Sequence, residues 1–267
     1  MRGIYYSVLT SVVFIFVYIS HVATADESVS LPSLHLYTQN FRPFHYTYGG
    51  EAEGPVVDLV RQVCVEVKVH CVIEVVPWTR AQEEVRLGKA HGLFVVGRNA
   101  ERESWLHFSV PIIMSEYGFF SVESRLLAYK QPRDLVGKKI GVYGPSNTEI
   151  SLRLLRQQMV QLELEPFDIS VFEQDRVAFD ELKGGYVDAV YSNRQVGEAL
   201  FRVKGGGSVV YTAKHRDLAY HLGFSQSVVD RDLVGRFNSA LNALLQSPLA
   251  AELLAPIGVK VTAGQLE

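Results

Sequence analysis

The chain has 267 residues, of which 48% are hydrophobic, and its 26 basic and 29 acidic residues give a net charge of −3. A chain of this size and composition can bury one large hydrophobic core or two modest ones. It has no basic block and no stripe of alternating aromatic and basic residues, which excludes the usual footprint of a nucleic-acid-binding protein. We therefore expect no nucleic-acid partner.

The first 25 residues are typical of a cleaved secretory signal peptide. A positive residue, Arg2, precedes an almost wholly apolar run over residues 4–19, and Ala23 and Ala25 are the small residues that a signal peptidase prefers. We predict cleavage after Ala25 and a soluble protein in the periplasm. The alternative is an uncleaved membrane anchor, but 16 apolar residues are fewer than the roughly 20 that a spanning helix needs.

From Leu34 onward, short apolar segments alternate with segments of helical periodicity, a pattern that predicts parallel strands with crossover helices. In the first half, strands are predicted at 34–39, 71–77 and 90–96, and helices at 55–67 and 79–89. In the second half, strands are predicted at 138–144, 167–172 and 186–192, and helices at 146–162, 175–185, 194–203 and 231–248. The sequence thus indicates an α/β fold with two units of similar design.

Two connecting segments differ from this alternation. Residues 115–122 form an extended aromatic stretch, which we predict to join the two units. Residues 204–208 (KGGGS) are predicted to form a tight turn and not a phosphate-binding loop, because they do not connect a strand to a helix with a following Lys.

The chain has two cysteines, Cys64 and Cys71, on either side of a short segment. In an oxidising compartment a disulfide that closes this loop is the favoured state, and we predict that bridge. Two free, buried thiols are the alternative.

Ligands of open α/β sheets bind beyond the carboxyl ends of the strands, where loops enter helices. Residues of these loops are therefore the candidates for a ligand site. The loops are residues 40–44, 78–80, 97–102, 144–148 and 192–194. Within them the candidates singled out are Phe41, Phe44, Trp78, Arg80, Asn99, Arg102, Ser146, Asn147 and Asn193. The aromatic candidates have an alternative role, since aromatic side chains dominate cores as well as pockets.

Arg80 occupies the first turn of the helix predicted at 79–89, and Arg102 the first turn of a short helix predicted to follow the strand at 90–96. The helix dipole disfavours a cation at such a position. Such a residue is explained if an anion binds at the same helix start, where free backbone N–H groups also point. The alternative is a surface arginine in an exposed ion pair with Glu101, Glu103 or Glu83.

The motifs of common enzyme classes are missing from the sequence. It has no G-x-S-x-G, no H-E-x-x-H, no phosphate-binding loop and no cluster of Cys and His. We therefore expect no catalytic residue, no metal and no cofactor. Glu149 and Asp175 could serve as an acid or a base, but we predict that each caps its helix, Glu149 in a capping box with Ser146 or Asn147.

Five segments together resemble a known family. They are FRPFHYTYGGEAEGPVVDLVRQV, PWTRAQEEVRLGKAHGLFVV, AERESWLHFSVPI, DLVGKKIGVYGPSNTE and FDELKGGYVDAVYSN. Each is similar to a segment of the periplasmic solute-binding proteins of family 3, the receptors of amino-acid-type ABC importers. The similarity follows the family's order over residues 34–250.

The resemblance implies the two-lobed periplasmic binding protein fold of type II, in which each lobe is a mostly parallel sheet flanked by helices. Lobe 1 would comprise residues 26–116 and 221–267, and lobe 2 residues 117–220, with a ligand cleft between them. The resemblance places Arg102 where the family binds the ligand's carboxylate, and a guanidinium fork matches a carboxylate chemically. It also implies hydrogen bonds from Ser146 and Asn147 and a ring contact from Phe41.

The chain departs from the family pattern at three positions. Asn193 stands where the family has the acid that binds the ligand's ammonium group, Asn99 stands in place of a Thr, and His91 stands in place of an Asp. An α-amino group is therefore poorly provided for, unless another acid substitutes: Glu149, Glu116 or Asp175. Further arginines would favour a more anionic ligand: Arg80, Arg98 and Arg194.

The resemblance implies a non-enzymatic receptor that binds a small carboxylate-bearing solute, an amino acid or a related organic anion. It would present the solute to an ABC permease in the inner membrane, and we expect it to be a monomer. Two alternatives stay open: an enzyme on the same scaffold, similar to the periplasmic cyclohexadienyl dehydratases, and a sensing module of a membrane signalling system.

Overall fold

A computed structural model of the chain describes residues 32–202 and 209–259. The predicted signal peptide and the predicted turn at 204–208 lie outside the described residues. Within those two ranges no single helix has the length and hydrophobicity to span a membrane; the two C-terminal helices meet that test only when counted together, and they are bent by 84°.

The described residues form eleven strands and eight α-helices. The strands are β1 (Ser33–Thr38), β2 (Tyr46–Tyr48), β3 (Glu51–Glu53), β4 (His70–Val75), β5 (Gly92–Gly97), β6 (Leu106–Phe108), β7 (Ile113–Val122), β8 (Lys139–Tyr143), β9 (Asp168–Phe172), β10 (Ala189–Asn193) and β11 (Val209–Ser225). The helices are α1 (Pro55–Glu66), α2 (Trp78–Arg86), α3 (Ala100–Glu103), α4 (Asn147–Gln161), α5 (Asp175–Gly184), α6 (Arg194–Arg202), α7 (Arg231–Leu245) and α8 (Pro248–Leu254).

Nine of the strands form one sheet in the order β4-β1-β5-β11-β7-β10-β8-β9, with β6 paired to β11. In the first unit β1 runs parallel to β4 and β5, and in the second unit β8 runs parallel to β9 and β10. Between the two units, β11 and β7 form a long antiparallel pair. The fold is α/β, as the sequence predicts.

The long strand β11 connects the two units. Its first part pairs with β7, and its last part pairs antiparallel with β5. The sequence pattern does not predict β11, because the charged run 214–217 interrupts the alternation of apolar and polar residues. It also does not predict the short elements β2, β3, β6 and α8.

The C-terminal helices return to the first unit. Both α7 and α8 pack against α1, and Phe237 and Leu241 of α7 share a hydrophobic core with Val56 and Leu59 of α1. The chain therefore enters the second unit along β7 and leaves it along β11. The exact lobe boundaries stay a prediction.

Helix α1 is tied to the next strand by a disulfide. The helix starts at Pro55, whose fixed φ suits a first turn, and it buries an apolar face that includes Leu59 and Val63. Cys64 near its end is bonded to Cys71 at the start of β4. The predicted disulfide is confirmed, and the alternative of two free thiols is wrong.

Helix α4 begins after Ser146, whose Oγ accepts a hydrogen bond from the backbone N–H of Glu149 at 3.1 Å. The other half of the predicted capping box is not formed, because the Glu149 carboxylate binds Arg153 one turn later. The predicted cap at Asp175 is also wrong: Asp175 is the first residue of α5, and Gln174 precedes it at the cap position.

Candidate ligand-binding site

A cleft lies at the carboxyl ends of the parallel strands, with about 330 Å³ of space between its walls, part of it open to solvent. Its walls come from both parallel units and from the strands between them. The lining residues are Gln39, Phe41, Trp78, Val95, Gly97, Arg102, Tyr117, Tyr143, Ser146, Asn147, Thr148 and Tyr220. Five of these were candidates from the sequence: Phe41, Trp78, Arg102, Ser146 and Asn147.

Arg102 is a buried cation in the wall of the cleft, with 3% of its surface exposed. Its Nη1 donates to the Gly97 carbonyl oxygen and its Nη2 to Gln82 Oε1, both at 2.8 Å. Its Cζ lies 5.5 Å from the ring centroid of Trp78. Burial lowers the pKa of the guanidinium from its usual value, but an arginine stays protonated at neutral pH.

The acids next to Arg102 in the sequence do not neutralise it. Glu101 contacts Arg86 at 3.8 Å, and Glu103 pairs with Arg98. A buried charge without a counter-ion is costly, and two hydrogen bonds use only part of the five donors of a guanidinium. An anion in the cleft would therefore find both charge and free donors at Arg102.

The start of α4 forms the facing wall. Ser146 Oγ donates to the Tyr143 carbonyl oxygen at 2.6 Å, so this hydroxyl is already engaged in shaping the turn. Asn147 Oδ1 accepts a hydrogen bond from Asn99 Nδ2 of the first unit at 3.2 Å. A Cβ added at Gly97 would lie 2.5 Å from Asn147 Nδ2, so the two walls meet closely here and a larger residue at this position would displace the Asn147 side chain.

Five aromatic rings contribute to the lining: Phe41, Trp78, Tyr117, Tyr143 and Tyr220. Trp78, Tyr117 and Tyr220 are largely buried, whereas Phe41 and Tyr143 are partly exposed. Phe41 stands edge-on to Tyr220 with 5.9 Å between ring centroids. Burial raises the pKa of the Tyr143 and Tyr220 hydroxyls, so both stay neutral hydrogen-bonding groups.

Two further candidates support the lining from behind. Phe44 is fully buried, and its ring packs on Phe41 and Tyr220 at 5.2 and 5.9 Å between centroids. Asn99 is the cap of α3, where its Oδ1 accepts from the backbone N–H of Arg102 at 2.9 Å. Both residues therefore position lining residues.

The side chains of the last two candidates, Asn193 and Arg80, form hydrogen bonds with other residues of the protein. Asn193 is 1% exposed; its Nδ2 donates to Ser115 Oγ at 2.6 Å, and its Oδ1 accepts from the N–H of Val196 at 3.1 Å. Arg80 is exposed on α2 and its Nε donates to Glu84 Oε1 at 3.0 Å. Neither belongs to the described lining of the cleft.

The other arginines suggested by the sequence are also paired with acids. Arg98 pairs with Glu103, and Arg194 pairs with Glu116 at 3.0 Å and with Glu198 at 2.8 Å. Because each already has a counter-ion, the expectation that extra arginines select a more anionic ligand has no support in the structure.

Five lining residues lie outside the candidate loops: Gln39, Val95, Tyr117, Tyr143 and Tyr220. Gly97 and Thr148 lie within those loops but were not singled out. Gln39 and Tyr143 stand at the carboxyl ends of predicted strands, so the strand-end rule could have found them. Tyr117 and Tyr220 lie inside β7 and β11, and no strand-end signal marks either position.

Asp175 is a partly buried acid near the cleft but outside the described lining. Its carboxylate accepts a hydrogen bond from Ser192 Oγ at 3.1 Å. Burial raises the pKa of Asp175 to about 6, although the hydrogen bond from Ser192 acts in the opposite direction. The pKa of Tyr143, raised mainly by burial, is raised further by the charge of Asp175, which places the acid near the second unit's wall.

Among residues 32–202 and 209–259, no three His, Cys, Asp or Glu side chains lie close enough together to hold a metal ion.

Residues 35–256 match the bacterial extracellular solute-binding proteins, family 3. No curated protein sequence matches the chain. The family match covers nearly all of the region that carries the cleft.

Three solved structures with the same fold come from proteins with different described roles. The amino acid ABC transporter substrate-binding protein AbpA of Streptococcus pneumoniae, bound to L-arginine, has a TM-score of 0.70 at 20% identity, covering 84% of this chain and 94% of that chain. An ancestral amino-acid-binding protein, described as a precursor of cyclohexadienyl dehydratase, has a TM-score of 0.70 at 18% identity, covering 84% and 94%. A histidine kinase sensor domain similar to periplasmic binding proteins has a TM-score of 0.73 at 17% identity, covering 85% and 96%. At these identities the likeness shows the two-lobed fold.

Proposed function

Because this chain belongs to the bacterial extracellular solute-binding proteins, family 3, we propose that it binds a small carboxylate-bearing solute in the cleft and presents it to an ABC permease of the inner membrane. The solute would be an amino acid or a related organic anion. The observation that carries the proposal is the guanidinium of Arg102, which is buried in the cleft wall with neutral hydrogen-bond partners.

The energetics of such a site are sufficient for binding. Each charge-assisted hydrogen bond from Arg102 to a carboxylate contributes about 1.5–3 kcal/mol net. The start of α4 adds free backbone N–H groups and the positive end of a helix dipole. A micromolar dissociation constant corresponds to about −8 kcal/mol in total, so a few such bonds and the ring contacts are enough.

We further propose that the protein is exported to the periplasm after cleavage at Ala25 and acts there as a monomer. Residues 26–116 and 221–267 would form one lobe and residues 117–220 the other. The path of the chain supports these boundaries, since β7 and β11 carry it between the two parallel units. Closure of the lobes would exclude water and strengthen the electrostatic contact with Arg102.

Replacing Arg102 with Ala tests the proposal. We expect ligand binding to weaken by about 2–5 kcal/mol, because the solute's carboxylate would then be buried without a partner. Isothermal titration calorimetry measures the loss, with the tightest ligand from a thermal-shift screen of amino acids, monocarboxylates and dicarboxylates.

The matched control is Arg86→Ala, which removes an exposed arginine from the end of α2, and its affinity should equal that of the native protein. The sequence alone predicts an unchanged melting temperature for Arg102→Ala. Because Arg102 is buried, we instead expect Arg102→Ala to melt at a lower temperature. The substitution leaves a cavity, and the Gly97 carbonyl oxygen and Gln82 Oε1 lose their donor. Undiminished affinity in Arg102→Ala would contradict the proposed role.

A catalytic alternative has one supporting observation. Burial raises the pKa of Asp175 to about 6, which is closer to neutral pH than that of an ordinary carboxyl group, as an acid–base catalyst requires. Product formed on incubation with prephenate or arogenate, and lost in Asp175→Asn, would establish an enzyme of the cyclohexadienyl dehydratase kind.

A sensing alternative has support from the likeness to a histidine kinase sensor domain. Purification of the liganded protein together with a membrane kinase, and not with an ABC permease, would favour this role.

A further inference from the structure

The cleft has an unbalanced charge. Arg102 is the one charged side chain in its described lining, and none of the other lining residues is Asp or Glu. A carboxylate would be paired there, but an ammonium group brought into the same space would lose its hydration without meeting a negative charge. The lining therefore favours a ligand whose net charge is negative over a zwitterion.

Two nearby acids are already neutralised. The Glu149 carboxylate accepts from Arg153 Nε at 2.8 Å and from its Nη2 at 2.7 Å. The Glu116 carboxylate lies 3.0 Å from Arg194 Nη1 and 3.8 Å from Lys214 Nζ. Reorienting either carboxylate toward a ligand would break an existing ion pair.

Asp175 is the remaining acid that could receive an ammonium group. Its carboxylate is held by Ser192 Oγ and lies outside the lining. Because its carboxylate is engaged by Ser192 and it lies outside the lining, Asp175 is a poor substitute for a fixed negative charge in the cleft, and Asp175→Asn tests this directly.

The uncharged part of the ligand would meet aromatic rings. Phe41 comes from the first unit and Tyr143 from the second, and both are partly exposed in the lining. Rings of this kind pack well on flat, apolar groups. They also attract quaternary ammonium ions, but the guanidinium of Arg102 already lies 5.5 Å from the Trp78 ring and would repel a second cation there.

From this arrangement we infer that the solute is an aromatic monocarboxylate without an ammonium group, and not an α-amino acid. The inference rests on the proposed function, since it specifies the solute of the same cleft. Arg102 binds the carboxylate, and the rings contributed by the two units pack on the flat body.

Matched pairs of ligands test the inference by calorimetry on the mature protein. 3-Phenylpropanoate and 3-phenyllactate are each compared with phenylalanine, and 3-(4-hydroxyphenyl)propanoate is compared with tyrosine. In each comparison the amino acid has an ammonium group at the α carbon, and the acid has a hydrogen or a hydroxyl group there. We expect the acid without the amino group to bind at least tenfold more tightly in each pair. Arginine, the other common amino acids and glycine betaine complete the panel.

Three outcomes separate this inference from the proposed function. If an amino acid or betaine binds more tightly than every aromatic monocarboxylate, and Arg102→Ala weakens it, the receptor role holds and the inference is overturned. If no carboxylate of the panel binds, both fail. If an aromatic monocarboxylate binds most tightly and Arg102→Ala weakens it, both are supported.

Two variants locate the cause of the selectivity. Gln39→Glu places a carboxylate of nearly the same shape in the lining, and the ratio of affinities should shift at least tenfold toward the amino acid. Asp175→Asn should leave the affinity for 3-phenylpropanoate within twofold. A loss of phenylalanine binding in Asp175→Asn, with phenylalanine the tighter ligand of its pair, would show that Asp175 receives the ammonium group.

Discussion

Arg102 and His45 show how burial changes the behaviour of single residues. Arg102 keeps its charge in a 3% exposed position because neutral acceptors hold two of its donors and leave others for a ligand. His45, by contrast, is fully buried, and burial lowers its pKa to about 4, which favours the neutral ring at pH 7. Its Nδ1 lies 2.7 Å from the Gln39 carbonyl oxygen, so this nitrogen carries the proton and donates it.

The pH dependence of stability should report on His45. Burial lowers its pKa to about 4, whereas an unfolded chain has a histidine pKa of about 6.5. The unfolded state therefore binds a proton as the pH falls below about 6.5, and the native state does not until about pH 4. We expect the free energy of unfolding to fall by about 3 kcal/mol over this range because of this residue alone.

Urea unfolding of native protein and His45→Gln at pH 7 and pH 4.5 measures this effect. The variant should be less stable at pH 7 because it loses ring contacts with Phe94, but its stability should change less with pH. His215, whose pKa is also lowered to about 4, is present in both proteins and cancels in the comparison. Parallel pH curves for the two proteins would show that His45 does not titrate as described.

At the scale of elements, the disulfide fixes the contact between α1 and β4 on the side of the sheet away from the cleft. Cys71 stands at the amino end of β4, and β4 runs parallel to β1, whose carboxyl end leads to Gln39 and Phe41 in the lining. The bridge thus stabilises the first unit without touching the binding site.

Removal of the disulfide should lower stability and leave binding intact. The bonded residues are separated by 7 positions, and a loop of this length stabilises the native state by about 2–3 kcal/mol in the chain-entropy description. The variant with Cys64→Ala and Cys71→Ala should melt roughly 5–10 °C lower, with ligand affinity within twofold of the native value. A large loss of affinity at a temperature where the variant is folded would show that the bridge positions the cleft.

For the whole molecule, two parallel units are joined through the antiparallel pair of β7 and β11. The cleft draws its lining from both units, and Asn99 of the first contacts Asn147 of the second. A ligand held by Arg102 and by the start of α4 would therefore bridge the two units.

Ligand binding should raise the melting temperature of the molecule as one cooperative unit. At a ligand concentration one hundred times the dissociation constant, the native state gains about 2.7 kcal/mol, which corresponds to roughly 5–10 °C for a chain of this size. Differential scanning calorimetry should show one transition that moves upward, and Arg102→Ala should gain less than about 1 kcal/mol at the same concentration and shift correspondingly less. A transition that splits, with one half unmoved, would mean that the ligand contacts one unit alone.

Individual strands, helices and the disulfide could be predicted because the sequence patterns that indicate them lie within short segments. The alternation of strands and helices, the disulfide between Cys64 and Cys71, and the strand ends that carry Phe41, Trp78 and Arg102 were all visible in the sequence. Parallel strands with crossover helices bring their carboxyl ends together, so the strand-end rule predicts that residues far apart in the chain meet at one edge of the sheet.

The sequence by itself determined the α/β class, the order of elements and most of the loops that meet at the cleft, because periodicity and turn residues act over a few positions. Only the tertiary structure decided that Tyr117 and Tyr220 line the site, since this depends on the pairing of β7 with β11 across about a hundred residues. It likewise decided which arginine stays without a carboxylate: Arg80, Arg98 and Arg194 each pair with a glutamate, whereas burial keeps Arg102 apart from its neighbouring acids. Charge pairing depends on distances in space, and those are fixed by packing.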